Sequence, residues 1–252
     1  MNFGSSNPLA NIPTVVKNLL IINVLMLLAT YAAGNSGIDL GNILGLHHWS
    51  SELFRPHQMI TYMFMHGGFQ HLLFNMFALW MFGRVLEQVW GPKRFLIYYM
   101  ITGIGAGLIQ LIVTEIRLIS LRDALSPEAL EYAVVHGLEL MNGANGPANF
   151  INNEDFVETI LMMNTTTVGA SGAVFGILLA FGMLFPNTQL MLLIPPIPIK
   201  AKYFVIFYGL FELYAGLSNN PADNVAHFAH LGGMLFGYIL IKMWKKNSNT
   251  FY

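Results

Sequence analysis

The segment TTVGASGAVFG, residues 166–176, places a serine hydroxyl at the start of a strongly apolar run. A serine hydroxyl is a weak nucleophile until a base within hydrogen-bond reach takes its proton. Histidine suits that task near neutral pH, because its side chain ordinarily changes charge between about pH 5 and 8. Ser171 is therefore a candidate nucleophile, provided that a histidine reaches it from another part of the chain.

A histidine opens a similar apolar run in AHFAHLGGMLFG, residues 226–237. His230, Gly233 and Gly237 follow at i, i+3 and i+7, so they share one face of a helix. Gly172 and Gly176 form a matching pair in the first run, and such small-xxx-small pairs let helix backbones approach closely. Glycines at this spacing also serve as ordinary packing contacts. The spacing favours a His230 that faces a neighbouring helix, where it is the candidate general base.

Two further polar side chains stand in HGGFQHLLFN, residues 66–75. His71 and Asn75 lie four residues apart, so both can donate from one helix face to the same anion. The start of the Ser171 helix adds unpaired backbone N–H groups and the positive end of the helix dipole. We therefore predict an oxyanion hole formed by His71, Asn75 and the Ser171 amide.

No acidic residue is obviously placed in the sequence to orient His230. Asp223 precedes its helix in the loop SNNPADN, where we expect its carboxylate to face water. Phe175, one turn after Ser171, can instead hold the imidazole by stacking. The sequence thus predicts a Ser–His dyad and not a triad.

The composition indicates the elements that must position these residues. Hydrophobic residues make up 55% of the chain and charged residues 10%, against roughly 25% charged in soluble domains. About 20 apolar residues cross a bilayer core about 30 Å thick. We predict an all-α polytopic membrane protein whose six-span domain, 15–244, lies between a segment 1–14 and a tail 245–252. The spans are expected near 15–33, 71–90, 94–114, 169–186, 199–217 and 226–244.

The basic residues predict the orientation of the spans. Nine of the 12 Lys and Arg residues fall at span ends on one side. Because short cytoplasmic loops are rich in these residues, both termini are predicted to be cytoplasmic. Spans 2, 4 and 6 then run from outside to inside and bring His71, Ser171 and His230 to a similar depth. We expect a multi-pass protein of the plasma (inner) membrane with its site facing the outer side.

Two outer segments are unusually long. Residues 34–70 mix aromatic and polar side chains, which predicts a structured loop lying at the membrane interface. Residues 115–168 form an acidic insertion, in which Ser126 and Asn153 have the sequence context of helix N-caps. A surface-lying insertion without catalytic groups is the plain interpretation of this second segment.

These motifs resemble the rhomboid family of intramembrane serine proteases. GASG at 169–172 looks like the family's GxSG nucleophile motif, and AHLGGMLFG at 229–237 looks like its AHxxGxxxG motif. HGGFQHLLFN is similar to the family's entrance to span 2. The resemblance implies that Ser171 is the nucleophile and His230 the base, with His71 and Asn75 in the oxyanion hole. It also implies that Phe175 packs on the catalytic imidazole.

The resemblance carries expectations beyond the site. It implies a six-helix rhomboid-like bundle with a water-filled cavity open to the outside, an interfacial first outer loop, and a mobile span 5 with a cap loop near 218–224. Substrates would be single-span membrane proteins, cut near the outer end of their membrane helix without metal or cofactor. No nucleic acid is implied as a partner. Where the family often has an arginine, this chain has Gln58, with Arg55 nearby, so the residue that pins the first loop stays open.

Other functions are compatible with parts of the sequence. The chain has no cysteine, which excludes thiolate metal sites, but a metal-binding membrane protein could use imidazoles of His66, His71, His227 and His230. A catalytically inactive rhomboid-like binder of membrane proteins is a second alternative, although such proteins typically lack the serine or the histidine. A channel or transporter is least favoured, because the polar residues cluster at one depth and do not line a path.

Overall fold

The computed structural model describes residues 12–191, 196–218 and 225–246, and within these ranges the chain is mostly helical. Asp223 and most of the expected cap loop near 218–224 lie outside the described residues. The helices are α1 (Thr14–Gly34), α2 (Leu40–Leu44), α3 (Gln58–Thr61), α4 (Phe69–Ala78), α5 (Arg84–Trp90), α6 (Pro92–Ala124), α7 (Pro127–Met141), α8 (Ala148–Ile151), α9 (Glu154–Asn164), α10 (Ser171–Leu184), α11 (Ala201–Leu217) and α12 (His227–Lys246).

A helical segment lies over each of the six predicted spans. The second is continuous from α4 into α5 through a π-helical turn at Leu79–Gly83, a wide turn that interrupts the regular hydrogen-bond pattern. Two single helices, α1 and α6, are by themselves long and apolar enough to cross a membrane, and α10 is a shorter apolar helix. The six-span count therefore stays a prediction.

Helices α6, α10 and α12 form the centre of the molecule and contact one another closely. A Cβ atom placed on Gly233 would lie against the backbone oxygen of Gly172, so α10 and α12 touch through their backbones at this level. One turn further on, a Cβ on Gly237 would lie 3.5 Å from the Cα of Gly176. The two glycine pairs therefore face each other, and the close approach of α10 and α12 depends on the absence of side chains there.

Helix α11 packs beside α10 and α12, and many of its side chains are exposed. The apolar side chains exposed on this helix include Phe207, Leu210, Phe211 and Tyr214. Helix α1 has a similar exposed apolar face. Exposed apolar area of this extent requires a partner other than water. A bilayer is the partner that fits helices with apolar outer faces.

The first outer loop is built around the side chain of Gln58, which is fully buried. Its Oε1 accepts hydrogen bonds from the backbone N–H groups of His47 and Arg55, and its Nε2 donates to the carbonyl of Leu53. The Arg55 guanidinium instead donates to nearby carbonyls of its own exposed segment. Gln58, and not Arg55, therefore pins the loop.

The same loop is tied to the segment that leads into α10. Leu46 and Thr167 exchange two backbone hydrogen bonds, of 2.9 and 2.8 Å, and the Gly169 N–H donates to the Tyr62 carbonyl at 2.9 Å. A 3₁₀ turn at Tyr62–Phe64 presents that carbonyl. The loop thus fixes the backbone immediately before Ser171.

The acidic insertion has a small hydrophobic core of its own. Helix α6 continues to Ala124, beyond the predicted end of span 3 at 114, because residues 115–124 contain neither Gly nor Pro. Ser126 caps α7 and Asn153 caps α9 through side-chain hydrogen bonds, as their sequence context predicts. Helices α7 and α9 then bury a cluster of Leu125, Ala129, Ala133, Phe156 and Ile160.

The expectation of an all-α chain is wrong in one detail. Between α10 and α11, strands β1 (Gln189–Met191) and β2 (Pro198–Lys200) pair antiparallel, with Leu190 opposite Ile199. The sequence analysis predicted spans near 169–186 and 199–217 and no strand between them. The pair is short, and it joins the two helices at the end of the molecule away from Ser171.

Candidate active site

Ser171 is the first residue of α10, so its side chain stands where backbone N–H groups have no partner within the helix. The preceding turn depends on Gly169, whose φ of 131° is rarely adopted by residues with a side chain. A Cβ there would lie 2.8 Å from two atoms of the His71 ring. Gly169 is thus required both for the turn and for the approach of His71.

The structure brings His230 of α12 directly to Ser171. The distance from His230 Nε2 to Ser171 Oγ is 2.8 Å, which is that of a good hydrogen bond. The Phe175 ring lies flat on the imidazole, with centroids 4.1 Å apart and an angle of 8° between planes. Tyr208 of α11 packs edge-on against Phe175 and supports the stack. The imidazole plane is therefore held on one side by an aromatic face.

His71 and Asn75 lie on the same face of α4 and line the same cavity as Ser171. The Asn75 side chain donates to the His71 carbonyl at 3.0 Å, and the His71 ring packs against Gly169. The cavity has a volume of about 1400 Å³. Its polar lining residues include His71, Asn75, Ser171, Glu212, His227 and His230.

The structure places an acidic side chain beside His230, which the sequence analysis did not predict. Glu212 of α11 lies with its Oε2 2.7 Å from His230 Nδ1, on the opposite edge of the ring from Ser171. The same oxygen is 2.6 Å from Nδ1 of His227. The three residues come from two helices whose relative position the sequence does not give. The contacts join Ser171, His230 and Glu212 into a continuous line of hydrogen bonds.

The residues that could hold a metal also differ from the predicted set. Within the described ranges, one group of three ligand-type side chains comes together, namely Glu212, His227 and His230. His66 and His71 are outside this group and contact each other, with ring centroids 5.1 Å apart. Hydrogen bonds between the carboxylate and both imidazoles already account for the cluster.

His66 is a buried neighbour of the site that sequence reasoning did not place. Its ring is 4% exposed, and neither ring nitrogen has a hydrogen-bond partner among the described residues. Burial, with a smaller contribution from the nearby His71, lowers the pKa of His66 to about 4. The His66 ring is therefore neutral at physiological pH, and it packs against the His71 ring.

Glu212 lies within the predicted span near 199–217, and its contact with His230 was not predicted from the sequence. An ionisable residue inside a membrane span is expensive and needs a partner. The predicted span 5 runs opposite to the predicted spans 4 and 6, so a carboxylate near its end is expected at the depth of Ser171 and His230. Depth alone thus favours Glu212 over Asp223, but the contact with His230 depends on how α11 packs against α12.

Comparison with known proteins agrees with this geometry. The model of the Rhomboid domain matches residues 52–120 and 150–246, which include every residue of the Ser171 cavity named above. The chain belongs to the rhomboid family. The stretch between the two matched segments, 121–149, contains α7, so much of the acidic insertion lies outside the family pattern.

Several rhomboid proteins are similar to this chain at low identity. The mitochondrial Rhomboid protein 1 of Saccharomyces cerevisiae is 28% identical over 176 residues, which are 70% of this chain and 38% of that protein. The chloroplastic Rhomboid-like protein 11 of Arabidopsis thaliana is 26% identical over 75% of this chain and 53% of its own length. The putative rhomboid protease YdcA of Bacillus subtilis is 28% identical over 73% of this chain and 67% of its own. The alignments therefore span about 38% to 56% of the length of the organellar relatives.

Proposed function

We propose that this membrane protein is an intramembrane serine endopeptidase that uses Ser171 as nucleophile and His230 as general base. The observation that carries the proposal is the 2.8 Å contact between Ser171 Oγ and His230 Nε2 beside the start of α10. Membership of a family whose relatives include a putative rhomboid protease supports it. No metal or cofactor is needed for this reaction.

The first half of the reaction forms an acyl-enzyme. His230 takes the hydroxyl proton as Ser171 Oγ attacks the carbonyl carbon of the scissile peptide bond. The carbonyl oxygen becomes an anion, which His71, Asn75 and the Ser171 amide stabilise by donating hydrogen bonds. When this intermediate collapses, the C–N bond breaks and His230 gives its proton to the leaving amine.

The second half hydrolyses the acyl-enzyme. A water molecule in the cavity gives a proton to His230 while its oxygen attacks the ester carbon of the acyl group. The same donors stabilise the second oxyanion. The bond from the carbon to Ser171 Oγ then breaks, and the proton on His230 returns to Ser171 as the new carboxyl group leaves.

The proposed substrates are single-span membrane proteins, cut near the outer end of their membrane helix. Support comes from the apolar outer faces of the helices that surround a polar cavity. The proposal includes six spans, both termini in the cytoplasm, and a first outer loop at the interface of a plasma (inner) membrane. Transmembrane segments and lipid are its partners, and nucleic acid is not.

The test is cleavage of a single-span reporter in detergent micelles by wild type, Ser171→Ala and His230→Ala. We expect the wild type to cut and both variants to lose activity by at least about 1000-fold, with EDTA without effect. A serine-reactive fluorophosphonate should label the wild type and not Ser171→Ala. Equal cutting by wild type and Ser171→Ala would refute the proposal.

Two other outcomes would indicate the alternatives. Cleavage that survives Ser171→Ala but stops with EDTA would indicate a metal site at Glu212, His227 and His230, which is the group whose geometry fits an ion. Absence of cleavage and of probe labelling in the wild type, with retained binding of membrane helices, would indicate an inactive binder.

A further inference from the structure

Among the described residues, Glu212 is the acidic group that contacts the Ser171–His230 pair. It reaches the pair from α11, and its Oε2 lies 2.7 Å from His230 Nδ1. We propose that Glu212 is a positioning residue, which holds His230 in the protonation form that can accept the Ser171 proton. The inference rests on the proposed protease function and replaces the expected dyad with a line of three residues.

A neutral imidazole carries a single ring N–H proton, which resides on either Nδ1 or Nε2. The Nε2 atom of His230 faces Ser171 Oγ at 2.8 Å and must lack a proton in order to act as a base. An ionised carboxylate only accepts hydrogen bonds, so Glu212 keeps the proton on Nδ1. The two contacts together select the reactive tautomer.

The charge of Glu212 acts at a later moment in the reaction. His230 becomes positively charged only after it has taken the Ser171 proton. Glu212 is 2% exposed, and the low dielectric of such a site strengthens the attraction between carboxylate and imidazolium. This attraction is stronger in the transition state than in the resting enzyme, so it raises kcat and leaves KM unchanged.

His227 holds the carboxylate in place. Its Nδ1 lies 2.6 Å from the same Oε2 that His230 contacts, and it stands one helical turn before His230 on α12. A buried carboxylate with two N–H donors stays ionised and keeps its direction. His227 therefore orients Glu212, and Glu212 orients His230.

The stacking of Phe175 does not replace this role. Its ring lies parallel to the imidazole of His230 and so fixes the plane of the ring. A parallel ring has no preference for a proton on one nitrogen or the other. Rotation within that plane and the position of the proton are determined by the two hydrogen bonds at the ring edges.

The test compares Glu212→Gln and Glu212→Asp with a matched control. In Glu212→Gln, which keeps the shape and removes the charge, kcat is expected to fall roughly 100-fold to 10,000-fold, as when the acid of a Ser–His–Asp triad is replaced. KM should not change, and Glu212→Asp, which restores the charge on a shorter side chain, should have a higher kcat than Glu212→Gln. The control is Glu87→Gln, because Glu87 is also a buried carboxylate but accepts from the backbone N–H groups of Val15 and Val16. It should lower Tm and leave kcat of the folded enzyme unchanged.

A second measurement separates positioning from support of the fold. In protein labelled with ¹⁵N-histidine, the Nδ1 proton of His230 gives a low-field NMR signal, assigned by its loss in His230→Asn. That signal should move upfield in Glu212→Gln and stay in place in Glu87→Gln. An unchanged signal, or a kcat in Glu212→Gln within about twofold of wild type, would overturn the role of Glu212.

Ser171→Ala is measured in parallel, so that the two proposals fail separately. If Ser171→Ala cuts as well as wild type, the protease proposal fails, and the role of Glu212 fails with it. If Ser171→Ala is inactive while Glu212→Gln is fully active, the serine mechanism stands and the positioning role alone is refuted.

Discussion

At the scale of single residues, the arrangement around Ser171 depends on the absence of a side chain at Gly169. The His71 ring can lie beside the serine because Gly169 offers no side chain on that side. The unusual backbone of Gly169 also directs the chain into α10 with Ser171 as its first residue. One glycine thus determines the position of a candidate oxyanion donor and of the candidate nucleophile.

Gly169→Ala is therefore expected to impair catalysis strongly. Its Cβ would lie 2.8 Å from Cε1 and Nε2 of His71, so the ring must move away. Loss of one oxyanion donor typically lowers kcat by about 100-fold to 1000-fold, and kcat for reporter cleavage is the measurement. Gly67→Ala is the matched control, since its Cβ would meet the same ring at an ordinary 3.8 Å. Equal activity of the two variants would contradict this account.

At the scale of elements, the loop between α1 and α4 holds the backbone before α10 in place through hydrogen bonds. Gln58 organises the interior of the loop, and the exchange of hydrogen bonds between Leu46 and Thr167 carries that order to the Ser171 segment. The side chain of Thr61 adds a hydrogen bond to the Leu44 carbonyl at 2.6 Å. The loop is thus a structural part of the site, although it contributes no group to the Ser171–His230 pair.

Gln58→Ala should destabilise the protein, whereas Arg55→Ala should not. Removal of the Gln58 amide leaves the buried N–H of His47 without that partner, at about 1–3 kcal/mol for a buried unsatisfied group, and removes further hydrogen bonds to the partly buried backbone of Leu53 and Arg55. Arg55 makes only exposed contacts, so its replacement should change the unfolding free energy by less than about 0.5 kcal/mol. Thermal unfolding in detergent is the measurement. A larger decrease in stability in Arg55→Ala than in Gln58→Ala would show that Arg55, and not Gln58, holds the loop in place.

The sequence predicted those elements whose signals are local. Helices lie over the predicted apolar runs, and Ser126 and Asn153 cap helices because the capping contact joins neighbouring residues. The contact of Glu212 with His230 escaped prediction because it depends on how α11 docks on α12. The pairing of β1 with β2 was missed because three-residue strands have too short a pattern to detect.

At the scale of the whole molecule, several histidines between α1 and α4 are buried in the neutral form. Burial lowers the pKa of His47, His48 and His66, to about 4 for His66. Glu115, whose Oε2 lies 3.2 Å from His48 Nε2, opposes this effect without reversing it. The folded protein therefore binds fewer protons than the unfolded chain in mild acid.

Stability should consequently fall with acidification. Unfolded histidines bind protons below about pH 6.5, while folded His66 does so only near pH 4. The stabilising contribution of neutral His66 is complete above about pH 6.5 and is lost as the pH falls toward 4. Replacement of His66 by Phe should flatten this part of the profile, as measured by Tm between pH 7 and pH 4. An equally steep profile in the variant would show that His66 is not responsible.

The groups around Ser171 come from four stretches of chain that lie far apart, on α4, α10, α11 and α12. The candidate base and its acidic partner belong to the two described helices that are synthesised last. During translation, Ser171 is therefore synthesised before His230, the candidate base, and before Glu212, its acidic partner. Under the proposed mechanism, a nascent chain cannot cut other membrane helices before α11 and α12 have been added and packed against α10.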